Sequence, residues 1–394
     1  MKKDHVVYRQ SGPARFFETR GGRVALFFGV IAAVCVLTVL AVYVVIPAFS
    51  EKTEPGKTTS LSRNPFRDSL DAAAEPDELS YNLSAGVKEA KLKILTAIDP
   101  FIYGKEIVFT SSAMEGGSIK YNKLYIYDCA SQSEHQISGI TVKYDNILFP
   151  RMNEDYIVFL DSSLSGGGRI CAYDRKTGRQ TVIKDYLYAA PEISLAGNTL
   201  TFMQQAGDSL DRLYFVDLET METAAYRIFS GLPLAPSPVN ACKNTVVYSI
   251  PYRTEDGFDR SRIYTLDLST GEETENEPGK LINEIKTDGK NTVFLSSAAG
   301  MPTDLYVLEG VTPRLLVSDV VNFDMGDGYA AYTKDDAVYA YCFRDKTHYK
   351  LNSDISRAYL CCAEGSMVCF MDVTGGFNDT VNAIKYLEVS FPNG

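Results

Sequence analysis

Over the last three-quarters of this 394-residue chain, apolar positions come in short β-branched and aromatic runs rather than at helical spacing. One phrase recurs seven times: an aliphatic, usually a tyrosine, two more strand formers and, in most copies, an acid. It runs Leu124 to Asp128, Ile170 to Asp174, Leu213 to Asp217, Ile263 to Asp267, Leu305 to Glu309, Val338 to Cys342 and Ile384 to Glu388. Successive copies start 46, 43, 50, 42, 33 and 46 residues apart, near the roughly 40–45 residues of a four-stranded propeller blade. Upstream of each copy lies a second apolar run, from Ile107 to Phe109 in the first to Val368 to Phe370 in the last, and turn residues such as Gly104 and Gly289 precede most of them. Each unit reads as strand, turn, buried strand, longer loop, strand, turn, strand.

The acids of the phrase belong to the turns. Asp174, Asp217 and Asp267 are each followed within four residues by Thr, and Asp174 and Asp267 also by Gly. Such an acid accepts backbone amides of a hairpin turn while the glycine supplies positive φ. One sheet cannot bury both of its faces, so the units must stack, and a ring removes exposed ends. The expected fold is therefore all-β, a single propeller over residues 87–394, with seven blades, or six if the short unit near Val338 merges with a neighbour. The last unit stops after its third strand. Residues Glu89 to Leu95 are expected to supply its outer strand and to fasten the ring.

Ahead of the propeller, Val24 to Ile46 gives 23 uncharged residues, enough as a helix for a hydrocarbon core of roughly 30 Å. The run is too long for a signal peptide and lacks a good cleavage site, so residues 24–46 are read as an uncleaved signal-anchor helix. Residues 1–23 form a short basic tail with six Lys and Arg against two acids, which predicts a cytoplasmic N-terminus and an extracytoplasmic propeller. Residues 47–86, rich in Ser, Thr, Pro and charge, read as a flexible tether. The net charge of −11 becomes −15 once the tail is set aside, which argues against nucleic acid as a partner.

Candidate chemistry is sparse. Cys35 lies in the membrane segment and seven cysteines follow it, so disulfides cannot pair them all within one chain. Cys129, Cys171, Cys342 and Cys369 fall in or at the ends of strands, as small apolar fillers do. A vicinal disulfide at Cys361 and Cys362 is weighed against two plain thiols in an inner strand, and the latter is preferred because disulfide geometry is demanding. His5, His135 and His348 form no metal motif, the acidic loop Glu255 to Asp259 lacks the alternation of calcium ligands, and no nucleophile elbow or phosphate loop occurs. No cofactor and no catalytic or metal residue is assigned. The binding residues are left open, with Tyr103, Tyr186, Tyr188 and Tyr252 the tyrosines nearest loops. Asn82 and Asn378 open glycosylation triplets.

Ala190 to Phe202 followed by Leu213 to Thr220 resembles a repeat of the TolB-like group of WD40-like propellers. The resemblance covers residues 90–394. It implies a non-catalytic propeller acting as a platform for protein or peptide contacts in a bacterial envelope. The chain departs from the periplasmic family member in its expected anchor and in lacking a preceding small α/β domain. Three roles follow: a membrane-anchored scaffold for a protein or peptide partner, an envelope lyase or glycosidase with acids converging on the axis, and a single-pass sensor. Paired acids with an arginine in the central funnel would raise the second.

Overall fold

A computed structural model describes residues 81–392, apart from 95, 164, 206–209, 298–302, 354–355 and 375–382. The tail, the expected anchor, most of the tether and Asn378 lie outside the described residues. Among the described residues no helix is long and apolar enough to cross a membrane.

The described residues are all-β apart from one 3-10 turn at Ser84–Gly86. Two short strands come first, β1 (Tyr81–Asn82) and β2 (Lys88–Glu89). Then follow β3 (Ile98–Tyr103), β4 (Glu106–Glu115), β5 (Ser118–Asp128) and β6 (Ser133–Gln136); β7 (Asn146–Met152), β8 (Tyr156–Ser162), β9 (Gly168–Asp174) and β10 (Arg179–Tyr186). The third group is β11 (Ile193–Ala196), β12 (Thr199–Gln205), β13 (Leu210–Asp217) and β14 (Glu222–Ser230), and the fourth β15 (Asn240–Cys242), β16 (Thr245–Arg253), β17 (Asp259–Asp267) and β18 (Glu273–Asn276). The fifth is β19 (Glu284–Thr287), β20 (Thr292–Ser296), β21 (Asp304–Glu309) and β22 (Thr312–Val317), and the sixth β23 (Asn322–Gly326), β24 (Tyr329–Lys334), β25 (Ala337–Cys342) and β26 (Thr347–Lys350). The last group is β27 (Ala358–Glu364), β28 (Met367–Asp372) and β29 (Ala383–Glu388). Each group is an antiparallel meander, and a single parallel pairing of Tyr121 with Asn146 joins the first two. The first strands touch one another in order around a cycle, and β27 returns to β3. The strand group that contains Val338 is short because its loops are tight, with Asp335 and Asp336 alone turning β24 into β25.

The recurring tyrosine has a structural purpose. It stands opposite the aromatic residue of the preceding strand and stacks on it: Phe109 with Tyr125, Phe202 with Tyr214, Tyr248 with Tyr264, Phe294 with Tyr306 and Tyr332 with Tyr339, at centroid distances of 5.1–5.8 Å. Such pairs contribute about 0.5–1.5 kcal/mol each beyond area burial. Where the phrase carries Cys171 or Lys385 instead, the residue opposite is Phe159 or Phe370 and the stack is absent. Between groups, apolar side chains from adjacent sheets form separate cores, such as Val158, Ile170 and Phe202 between the second and third.

The ring is fastened as expected, but by a shorter strand that begins one residue earlier and overlaps the expected run only at its start. Lys88 pairs with Tyr386 and Glu89 with Lys385, and the Ala90 amide donates to the Ile384 carbonyl at 2.8 Å. The outer strand of the last group is therefore Lys88–Glu89 rather than a run reaching Leu95. Tyr81 and Asn82 add a parallel fifth strand to the sixth group. Leu83 and Val87 pack into the core between the sixth and seventh groups, so one segment straps both. Cys361 and Cys362 point into different cores, Cys361 toward Val338 and Phe370 and Cys362 toward Cys369 and Ile384, and all seven thiols are free. Alternation along β27 separates the vicinal pair.

Candidate functional site: the axial channel

In an antiparallel meander the first strand runs from one end of the ring to the other. The loops joining second to third strands, and one group to the next, therefore share one face. The hairpin turns of each group, two in the first six and one in the last, share the opposite face. The first is the loop face and the second the hairpin face.

The first strands are short and border a channel along the ring's axis, which takes in a widening of about 220 Å³ toward the loop face and one of about 200 Å³ toward the hairpin face. Their inner edges expose backbone amides that no further strand can satisfy. Side chains bridge neighbouring strands instead. Asp99 accepts the Phe149 amide at 3.2 Å, Ser194 the Ala241 amide at 2.9 Å, Asn240 the Thr287 amide at 2.9 Å and Asp324 the Ala363 amide at 3.0 Å. Asn153 donates to the Gly197 carbonyl at 2.6 Å, and Lys286 to the Phe323 carbonyl at 2.8 Å.

These bridges separate structural charges from the remainder. Lys286 also pairs with Glu284 at 3.0 Å and with Asp324 at 3.1 Å. Although burial works against its charge, the Asp324 and Glu284 carboxylates hold its ammonium well above the ordinary lysine range. Asp99, Asp324, Glu284 and Lys286 thus have partners within the ring. Arg151 does not pair with any of the carboxylates around it; its guanidinium donates to the Pro150 carbonyl at 3.0 Å and lies 5.1 Å from the centre of the Phe101 ring. Glu192 opens into the channel with no hydrogen-bond donor or ion-pair partner among the described residues. Its pKa is raised, mainly by desolvation between the channel walls and then by Glu284, with Lys286 and Arg151 opposing. Toward the hairpin face, Glu364 is likewise without a partner, and burial together with Asp324 and Asp327 pushes its pKa up to about 7.

Three neighbouring first strands share a backbone irregularity at the loop-face mouth. Asp99, Phe149 and Leu360 have φ of 51°, 49° and 48°, and each sits where the register shifts. A left-handed conformation is a true outlier for bulky apolar residues. Strain of this kind costs about 1–3 kcal/mol per residue and clusters where side chains must be re-aimed, as bulges do beside functional sites. All three line the same widening as Arg151 and Glu192.

None of these residues is a site residue in the sequence reading, which assigns none. The signal present in the sequence is a charge inside a short strand that should be buried on both sides, as at Asp99, Arg151, Lys286 and Asp324. The four tyrosines near loops disperse: Tyr103 lines the hairpin-face widening, Tyr186 is buried against Gly168, Tyr188 is exposed and Tyr252 carries Arg262 over its ring at 4.5 Å. The acidic loop of the fourth group closes on itself, with the Thr254 amide donating to the Phe258 carbonyl at 2.8 Å. His348 is half-buried, accepts or donates at Nδ1 with the Tyr332 hydroxyl at 2.7 Å, and is held neutral, its pKa lowered to about 4 chiefly by desolvation.

No family model matches the chain, and no curated protein matches it. Solved structures do share its fold. The β-propeller domain of the Trilobed protease from Pyrococcus furiosus, described as having an open velcro topology, aligns with a TM-score of 0.57 at 14% identity over 76% of this chain and 96% of that one. The acylaminoacyl peptidase of Pyrococcus horikoshii aligns at 0.54 and 13% identity, over 75% of this chain and 51% of that one, so the chain spans about half the peptidase's length. Oligogalacturonate lyase from Vibrio parahaemolyticus aligns at 0.50 and 14% identity, over 80% and 99%. At such identities the likeness establishes architecture alone, and that architecture serves enzymes among these structures. The chain is a β-propeller, and its resemblance to the TolB-like group holds at that level.

Proposed function

We propose that this is a seven-bladed propeller, anchored in the membrane by residues 24–46, that acts outside the cytoplasm as a binding module and receives its ligand at the loop-face mouth of the channel. The observation that carries this reading is the meeting of Arg151 and Glu192, which no ring bridge uses, with the strained, left-handed Phe149 and Leu360 in one widening. The uncharged 24–46 segment and the basic tail support the topology. A photo-crosslinking benzoylphenylalanine placed at Val321, beside the mouth, is expected to give adducts in the native envelope. The same probe at Val311, on a hairpin turn, should give none. Equal labelling from both positions, or none from Val321, refutes the reading.

A second reading is favoured by the same cluster. Carboxylates converging beside an arginine are what acid–base chemistry on an envelope polymer requires, since one carboxyl must stay protonated near another that is ionised. Turnover of cell-wall or polysaccharide fragments that Glu192→Gln abolishes without loss of folding would make the protein an enzyme. Turnover unchanged in Glu192→Gln would dismiss this channel as the active site.

A further inference from the structure

Exposed large apolar side chains are distributed unevenly over the propeller. Met114 and Ile119, at the ends of β4 and β5 beside the turn that joins them, and Phe258, in the loop between β16 and β17, are 70%, 61% and 60% exposed. Connections between groups contribute Leu187, Tyr188, Leu234 and Val321, and Tyr359 stands at the start of β27. All eight belong to the loop face. Among the described residues the hairpin face shows one, Val311, and the remaining three, Val182, Tyr226 and Ile228, lie on outer strands. Single exposed apolar residues need no explanation, but a ring of them around a charged mouth does.

The centre of that ring decides what covers it. Four carboxylates (Asp99, Glu192, Glu284 and Asp324) face two cations (Arg151 and Lys286) in the loop-face widening. Lys286 is already held by two of the four, and Arg151 by a carbonyl and the Phe101 ring. What the mouth lacks is a donor for Glu192. A lipid surface pressed on this face would satisfy the apolar ring but desolvate Glu192 without pairing it. A second copy, face to face, would set one acidic mouth against another.

Resting on the channel-binding reading above, we infer that the loop face docks an apolar segment of another protein whose central lysine or arginine enters the channel and pairs with Glu192. The apolar side chains of that segment cover the ring formed by Ile119, Leu187, Phe258 and their neighbours. The cation balances the surplus of carboxylates in the mouth. In this contact the apolar area surrounds the mouth, and the charge pairing that selects the partner lies at the axis.

The test uses the full-length protein in detergent and fluorescein-labelled decapeptides, with Leu and Phe flanking a central Lys, norleucine or Glu. The Lys peptide should bind about tenfold more tightly than the norleucine peptide, as one charge-assisted hydrogen bond implies, and the Glu peptide more weakly still. Glu192→Gln should erase the advantage of Lys without changing norleucine binding, while Ile119→Ser and Phe258→Ser should weaken both. Absence of Lys-peptide binding, equal binding of Lys and Glu peptides, or a Lys advantage that survives Glu192→Gln overturns the inference. So does capture of the protein by phosphatidylglycerol vesicles that Ile119→Ser abolishes. Adducts from Val321 in cells together with no preference for Lys would sink this inference alone; no adducts from Val321 would remove the reading beneath it.

Discussion

The two faces of the propeller are built by different rules. On the hairpin face, turns repeat. Asp128, Asp174, Asp217 and Asp267 each accept backbone amides two and three residues onward, and glycines with φ near 50–90° close hairpins at Gly104, Gly197, Gly289, Gly328 and Gly365. On the loop face, connections differ in length, apolar side chains reach water, and two bulky apolar residues inside strands, Phe149 and Leu360, adopt left-handed backbone, whereas the left-handed non-glycine residues of the hairpin face, Gln132, Met221, Lys243 and Lys346, sit in turns. Local chemistry builds the first face and keeps it cheap. The second holds strain inside its strands that the surrounding cores must offset, and it is where Arg151 and Glu192 meet.

The largest effect is expected on the loop-face side. Lys286→Met leaves Glu284 and Asp324 without their ammonium in a mostly buried setting, and unfolding in urea should show a loss of about 3 kcal/mol. On the hairpin side, Gly326→Ala would place a methyl carbon 2.1 Å from the Tyr329 ring; the forced shift should cost about 2 kcal/mol by the same measurement. Asp267→Ala removes the carboxylate from one hairpin turn and should cost about 1 kcal/mol while leaving crosslinking from Val321 unchanged. A loss of adducts in that variant would mean the faces are coupled.

A further effect is one of pH. Glu364 has its folded pKa raised to about 7 from an ordinary 4.5, so the folded state holds this proton more tightly than the unfolded chain does. Its ionisation therefore opposes folding, with a penalty that is absent below the ordinary value and grows as pH rises through about 7. Unfolding free energy should fall from pH 5 to pH 8 in the native protein and fall less in Glu364→Gln. An identical slope in both would place the proton elsewhere.

Legibility in the sequence follows the same division. The Leu-Tyr phrase, the preceding Phe and the turn acids are visible because each reports a contact made within one sheet, and the structure accounts for them as cross-strand stacks and capped turns. The clasp is anticipated because the last group lacks a fourth strand, but its bounds are not, because Lys88 and Glu89 carry no apolar signature and the apolar residues that follow them draw the expected run on to Leu95. The bulges at Asp99, Phe149 and Leu360 are invisible, since none bears the glycine that usually marks positive φ. The channel is invisible for another reason: Glu192 and Arg151 meet carboxylates far along the chain only once the ring exists.

The clasp also has a temporal consequence. Lys88 and Glu89 precede every group of the ring, while their pairing partners Tyr386 and Lys385 belong to its last strand, β29. A growing chain therefore carries an unmatched sheet edge until all seven groups have been made. Closure waits for β29, so a chain cut before that strand would leave the seam gaping and the protein exposed to proteases and aggregation.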